Sequence, residues 1–209
     1  IDVQQGRNTS SFRRISDVLS MNLEDLEERA KQKSTITGIA TGYPALDAMT
    51  TGLHEEELII LAARPAVGKT AFALNIAQNI GTKQDKTVAI FSLEMGAESL
   101  VNRMLAAEGT IESHNLRTGQ LNDEEWNQYF IAMGTLSKAS IYIDDTPGIK
   151  ITEIRARSRK LAQETGNLGL IVIDYLQLIS GTGRENRQQE VSEISRQLKI
   201  LAKELKVPV

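Results

Sequence analysis

The stretch ELIILAARPAVGKTAFALNIAQNI restricts the fold more than any other part of the chain. Residues 57–63 form a continuous apolar run, the pattern of a strand covered on both faces of a parallel sheet. From about Lys69 to Ile80 the apolar residues return at helical spacing, with Phe72, Ile76 and Ile80 on one side. Only a few residues separate the two, so the chain passes from strand through a tight curl into a helix. TVAIFSLEM, SIYIDD and LGLIVIDYLQL read as further strands. VPV at 207–209 reads as the opening of one more, at a point where the domain is expected to continue. Helical periodicity lies between them: Leu100, Val101, Met104 and Leu105; NDEEWNQYF, with Asn122 as N-cap and Glu125 completing a capping box; ITEIRARSRKLAQET, stopped at Gly166; and a long amphipathic helix from about 187 to 206. Strands alternating with helices predict an α/β fold with a mostly parallel sheet flanked by helices.

The curl itself is ARPAVGKT. The usual phosphate loop is G-x-x-x-x-G-K-[ST], and Ala63 stands where its first glycine belongs. Alanine fits there if the position keeps strand torsions and the chain turns one residue later. In a strand–loop–helix the backbone N–H groups of Ala63, Arg64, Ala66, Val67 and Gly68, together with the helix start, surround an anion, while Pro65, which has no N–H, stiffens the curl. Gly68 sits where a side chain would collide with phosphate, Lys69 reaches the outer phosphates, and the Thr70 hydroxyl can ligate Mg²⁺. A structural glycine-lysine turn is the alternative reading. Two strand ends supply acids. LIVID ends in Asp174, the Walker B pattern of a carboxylate that supports a metal, or else a strand-end acid meeting solvent. AIFSLE ends in Glu94, a candidate general base, or else a surface glutamate.

Composition narrows the chemistry. With 41% hydrophobic and 24% charged residues in 209, the chain fits one domain with an appendage. The absence of cysteine excludes disulfides, thiolate metal sites and cysteine nucleophiles, and His54 and His114 stand far apart in sequence. A net charge of −3 argues against a generally basic nucleic-acid coat, so contact with DNA or RNA falls to a local patch or to an oligomer's channel. No apolar run approaches a membrane span, and a soluble, cytoplasmic protein without membrane contact is expected.

Residues 1–13 are polar and aperiodic, a linker. From 15 to about 33, Ile15, Val18, Leu19, Leu23, Leu26 and Ala30 make one apolar stripe on a charged helix, either packed on its own domain or docked on a neighbouring subunit. The loop at 180–187 carries Arg184 and Arg187, which either touch nucleic-acid phosphate or are solvated charges. The run Arg155, Arg157, Arg159 and Lys160 reads as a solvated helix face. Met95, Met104 and Trp126 read as core or interface packing rather than as a platform for a nucleotide base.

The three strand ends together resemble a RecA-like phosphate-loop NTPase core. TGYPALDAMTTGL, AARPAVGKTAFALNIA, FSLEM, LRTG, YIDDTPG, IVIDYLQLI and ENRQQEVSEISRQLK, in this order, resemble the DnaB family of bacterial replicative helicases over residues 16–209. FSLEM followed by IDYLQL is the specific part, and the Ala63 departure is familiar in that family. The resemblance implies a linker segment with an amphipathic docking helix at 1–36 and a RecA-like ATPase domain at 37–209 whose C-terminal part is missing. It implies a homohexamer that encircles single-stranded DNA, translocates with ATP and Mg²⁺, and meets a primase and a helicase loader. Lys69 and Glu94 would be catalytic, Ala63 to Thr70 would hold the nucleotide, and Thr70 and Asp174 would serve the metal. In that family the arginine finger, a glutamine-bearing strand and the main DNA loop lie beyond the position of Val209, so the isolated chain is expected to hydrolyse ATP poorly. Two other classes compete: a RecA-like ATP-binding scaffold or loader that unwinds nothing, and a small-molecule kinase. A scaffold predicts loss of the catalytic acid, and a kinase predicts an arginine-rich lid. Translocation polarity has no signature in the sequence.

Overall fold

In the computed structural model, which describes residues 12–31, 37–61, 69–174, 179 and 187–209, three strands form one parallel sheet. They are β1 (Thr87–Ser92), β2 (Ile141–Asp144) and β3 (Leu168–Asp174), in the order β2-β1-β3. β1 pairs from Val88↔Ile141 to Phe91↔Asp144 on one side and from Val88↔Leu170 to Ser92↔Asp174 on the other. The eight described helices are α1 (Ile15–Lys31), α2 (Pro44–Thr50), α3 (Lys69–Lys83), α4 (Ala97–Gly109), α5 (Ser113–Thr118), α6 (Asp123–Ser137), α7 (Ile151–Thr165) and α8 (Arg187–Leu205). The α/β class and the parallel sheet read from the sequence are those observed.

Successive β1 side chains point to opposite faces, and this alternation builds two cores. Val88 and Ile90 pack with Leu170, with Leu74, Ala77 and Ile80 of α3, and with Leu100 of α4. Ala89 and Phe91 pack with Ile171, with Ile154 of α7, and with Ile194, Leu198, Leu201 and Ala202 of α8. Every β1 residue from Thr87 to Ser92 is buried, because helices pack on both faces of its apolar run VAIF. Ile171 is 0% exposed in the second core. Ile171→Ala is expected to cost ~2–5 kcal/mol, because the truncated site keeps part of the cavity. A lower urea midpoint at unchanged slope checks this.

The sheet extends past β3. The Ile171 N–H donates to the Pro208 carbonyl at 3.1 Å, the Val209 N–H to the Glu57 carbonyl at 2.9 Å, and the Ile59 N–H to the Val209 carbonyl at 2.8 Å. Residues 207–209 therefore lie between β3 and residues 57–59, as an opening strand should. The expectation of a strand buried on both faces over 57–63 needs correction. The described ladder stops at Ile59, Ile60 is 66% exposed, and Ile59 and Leu61 are exposed as well. An apolar run is buried only where something packs on it, and beyond Ile59 no described strand lies alongside. Residues 62 and 63 fall outside the described set.

Local signals set the helix ends. The Asn122 side chain accepts from the Glu125 N–H at 2.8 Å, and Glu125 Oε1 accepts from the Asn122 N–H at 3.2 Å, which is the predicted capping box. Gly166 closes α7 at φ +73°, and its N–H reaches the Ala162 carbonyl at 3.0 Å. The helix α5 was not legible in the sequence.

The reading of 155–160 as a solvated face holds for the exposed Arg157 and Lys160 and needs refinement for Arg155 and Arg159, which meet a neighbouring helix. Arg159 makes a bidentate pair with Glu204 of α8 at 2.5 and 2.8 Å, and Arg155 donates to Gln197 Oε1 at 2.7 Å. Arg157 donates to Asp144 Oδ2 at 2.6 Å and Lys160 pairs with Glu164 at 3.9 Å. Residues 155 and 159 share one face of α7, four apart, and that face meets α8. Hydrogen bonding to Arg159 holds the Glu204 carboxyl below its usual range. A lowered folded-state pKa adds stability above the ordinary glutamate pKa, and that stability disappears as pH falls through the folded value. Glu204→Gln is therefore expected to flatten the loss of stability between about pH 5 and 3. Urea midpoints measured across that window check it.

The chain divides into two units, Ile1–Thr37 and Gly38–Val209. In the first, α1 carries Ile15, Leu19, Leu23 and Leu26 on an exposed stripe, and none of its residues is buried. Among the described residues no helix is long and apolar enough to cross a membrane.

Candidate functional site at the carboxyl rim of the sheet

Parallel strands bring their carboxyl ends to one rim, and the last residues of these strands are acidic or lead into acids. Asp174 ends β3 opposite Ser92, the last residue of β1. The Leu93 N–H donates to the Asp174 carbonyl at 2.8 Å, which continues the ladder one step and leaves Glu94 as the next residue. Asp144 ends β2 opposite Phe91. Glu94 and Asp174 thus stand on the same rim of one sheet.

The start of α3 reaches that rim from the side. A Cβ placed on Gly81 would lie 2.5 Å from Ile141 Cγ1 and 3.8 Å from Val88 Cγ2, so the end of α3 crosses the amino ends of β2 and β1. Lys69 is twelve residues earlier, about 18 Å along the helix axis. The strand β1 is about 20 Å long. Lys69 and Thr70 therefore sit at the carboxyl end, where both are half-buried.

The segment before α3 holds the helix in place. The Tyr43 and Phe72 rings lie 5.0 Å apart, and Asn75 donates to the Tyr43 hydroxyl at 3.2 Å. Asn79 and Gln84 donate to the carbonyls of Thr41 and Ala40 at 3.1 and 2.9 Å. The buried Asp47 of α2 anchors this segment by accepting from the N–H and hydroxyl of Thr41 at 2.9 and 2.8 Å. The segment TGYPALD leads into the short helix α2. Its Thr and Asp are a buried hydrogen-bonded pair.

Asp174 is 6% exposed, and its Oδ2 has no hydrogen-bond partner among the described residues. A buried carboxylate oxygen without a donor is costly unless a cation or water meets it. Among the described residues no three His, Cys, Asp or Glu side chains gather to hold a metal. This donor set suits Mg²⁺, which keeps several waters and takes one or two protein oxygens together with substrate phosphates. Glu94 is exposed, as a group that meets solvent must be.

Other residues singled out in the sequence fall elsewhere. Ala63, Arg64, Pro65, Ala66, Val67 and Gly68, and Arg184 of the second loop, lie outside the described residues. Arg187 opens α8, and its side chain is also outside them. Met104 is in the core at 4% exposure, and Met95 is half-buried. Trp126 is not core: it is 42% exposed and stacks on Phe130 with centroids 5.9 Å apart.

Sequence reasoning missed the groups that shape the turn after β1. The Ser92 hydroxyl donates to the Met95 carbonyl at 2.8 Å, and the Ala97 N–H donates to Asp145 Oδ2 at 2.9 Å. Asp145 follows Asp144, which accepts from Arg157 and, at 3.0 Å, from the Thr146 N–H. Burial pushes the Asp144 carboxyl up, but the N–H and hydroxyl of Thr146 and the Arg157 guanidinium outweigh it, so the group lies below the usual aspartate range. The doublet DD at the end of a strand was the available signal.

The family described as "DnaB-like helicase C terminal domain" matches residues 38–209. The chain is 61% identical over 211 residues to "Replicative DNA helicase DnaC" of Bacillus subtilis (strain 168), covering 100% of this chain and 46% of that protein. It is 58% identical over 211 residues to "Replicative DNA helicase DnaB" of Geobacillus stearothermophilus, with the same coverage of 100% and 46%. It therefore spans about half the length of these curated relatives (46%). Among solved structures it is similar to one described as an ATPase domain, with a TM-score of 0.87 at 32% identity over 95% of this chain and 70% of that one. It is also similar to a DnaB-like replicative helicase described with its interactions with primase, with a TM-score of 0.83 at 31% identity over 95% and 48% of the two chains.

Proposed function

The chain belongs to the family of DnaB-like helicase C-terminal domains, and from that membership we propose that it is the ATP-driven motor of a replicative DNA helicase. The observation that carries the proposal is the pair of strand-end acids, Glu94 and Asp174, at one rim of the sheet, with a buried oxygen on Asp174 that no described residue satisfies, and Lys69 opens the helix whose start lies toward that rim. The residues from Ala63 to Thr70 cradle the phosphates of ATP. Lys69 puts a point charge on the outer phosphates, where negative charge builds in the transition state. Thr70 and Asp174 are the residues to hold Mg²⁺, Asp174 through water. When bound, Mg²⁺ neutralises phosphate charge. Glu94 accepts the proton of the water that attacks the γ-phosphorus. The bond to the β-phosphate oxygen then breaks, leaving ADP and phosphate.

The stripe on α1 (Ile15, Leu19, Leu23 and Leu26) suits docking on a neighbouring subunit of a homohexameric ring. Single-stranded DNA passes through that ring in the cytoplasm, and primase and a loader are its partners. Arg184 and Arg187 are the candidates for contact with the DNA phosphates. ATP turnover by the full-length protein with and without single-stranded DNA tests the reading. Strong stimulation that is lost in Lys69→Ala and Glu94→Gln supports the motor. Nucleotide binding without any effect of DNA would instead support an ATP-binding scaffold.

A further inference from the structure

We infer that Asp145 is a positioning residue for Glu94: from the end of the neighbouring strand it fixes the turn that carries the proposed general base. The inference rests on the reading of Glu94 given above.

Glu94 lies in the turn between β1 and α4, and its exposed side chain needs a rigid support if it is to stay aimed. Three hydrogen bonds supply that support. The first two, Leu93 N–H to the Asp174 carbonyl at 2.8 Å and Ser92 hydroxyl to the Met95 carbonyl at 2.8 Å, hold the strand end. The third holds the far end. The N-cap of α4 is Gly96, which has no side chain to satisfy the first amides of the helix. Asp145 Oδ2 accepts from the Ala97 N–H instead, at 2.9 Å and across 48 residues of sequence. A carboxylate at a helix start also meets the positive end of the helix dipole.

Asp145 is itself held, although it is exposed. The Asp144 side chain accepts from the Thr146 N–H at 3.0 Å, and Arg157 Nη1 bonds both Asp144 Oδ2 at 2.6 Å and Thr146 Oγ1 at 2.8 Å. The residues on either side of Asp145 are thereby clamped to α7, and its carboxylate is presented to Ala97 without a search through conformations. Local stability would be served as well by a capping side chain at position 96. A glycine there, with the cap supplied from the end of β2, ties the turn of Glu94 to the neighbouring strand.

The test is steady-state ATP turnover by the full-length protein with single-stranded DNA. Asp145→Ala is expected to lower kcat ~10–100-fold, the scale of a misplaced catalytic group, with KM for ATP unchanged. Asp145→Asn, whose amide oxygen still accepts from Ala97, is expected to recover most of the rate. Arg157→Ala should lower kcat less, in the same direction. Full kcat in Asp145→Ala beside an inactive Glu94→Gln would overturn the inference and leave the Glu94 reading standing. Equal losses in Asp145→Ala and Asp145→Asn with a raised KM would also overturn it, since that is general damage to the site. Full kcat in Glu94→Gln would remove the Glu94 reading, and this inference with it.

Discussion

Lys69→Ala is expected to weaken triphosphate binding and to lower ATP turnover ~10²–10³-fold, the loss seen when one preorganised stabiliser of transition-state charge is removed. Position explains the size. Lys69 opens α3, so its charge adds to the positive end of the helix dipole, and in the proposed site both act on the phosphates at the rim where Asp174 and Glu94 stand. A monodentate ammonium on a flexible stem suits a phosphate whose charge moves during the reaction. Lys69→Arg is therefore expected to restore little, since a planar fork needs more room and a different approach. Titration calorimetry with ATP and with ADP checks this. The variant should lose more affinity for ATP than for ADP, because the missing charge serves the outer phosphates. Unchanged ATP affinity would remove Lys69 from the site.

Glu94→Gln is expected to give the other large effect, a ~10²–10⁴-fold fall in kcat with nucleotide affinity retained. The amide keeps the volume and one acceptor of the carboxylate but cannot take up the proton of attacking water. The turn should not change, because its hydrogen bonds run through Ser92, Leu93 and Ala97 rather than through the Glu94 side chain. Rapid-quench turnover beside equilibrium binding separates the two quantities. Loss of binding along with turnover would mean that Glu94 supports the nucleotide rather than the reaction.

The features legible in the sequence were those whose cause is local or periodic. β1 and β3 announce themselves by apolar runs, the start of α6 by Asn122 and Glu125, and the end of α7 by Gly166. The strand-end acids Glu94 and Asp174 were readable because a parallel sheet sends strand ends to one rim whatever the sequence between them. What escaped depends on distant partners. The pairing of Arg159 was not readable because its partner Glu204 lies 45 residues away. The doublet at 144–145 marked a strand end, but the role of Asp145 could not be read because its partner is the amide of Ala97, in another crossover. The six residues of α5 are too few to show a period. The run at 57–63 misled for a different reason: apolar spelling reports a capacity for burial, and only packing decides whether it is used. Ile60 shows the difference at 66% exposure.

The central claim is that Lys69, Thr70, Glu94 and Asp174 surround one triphosphate and its metal. A crystal structure grown with a non-hydrolysable ATP analogue and Mn²⁺, with anomalous data to locate the ion, tests it most directly. The account predicts an anomalous peak bound to the Thr70 hydroxyl, with a bridging water to Asp174, and with Lys69 Nζ on the outer phosphates. A nucleotide seated away from this rim, or an ion held by neither Thr70 nor a water on Asp174, would contradict it.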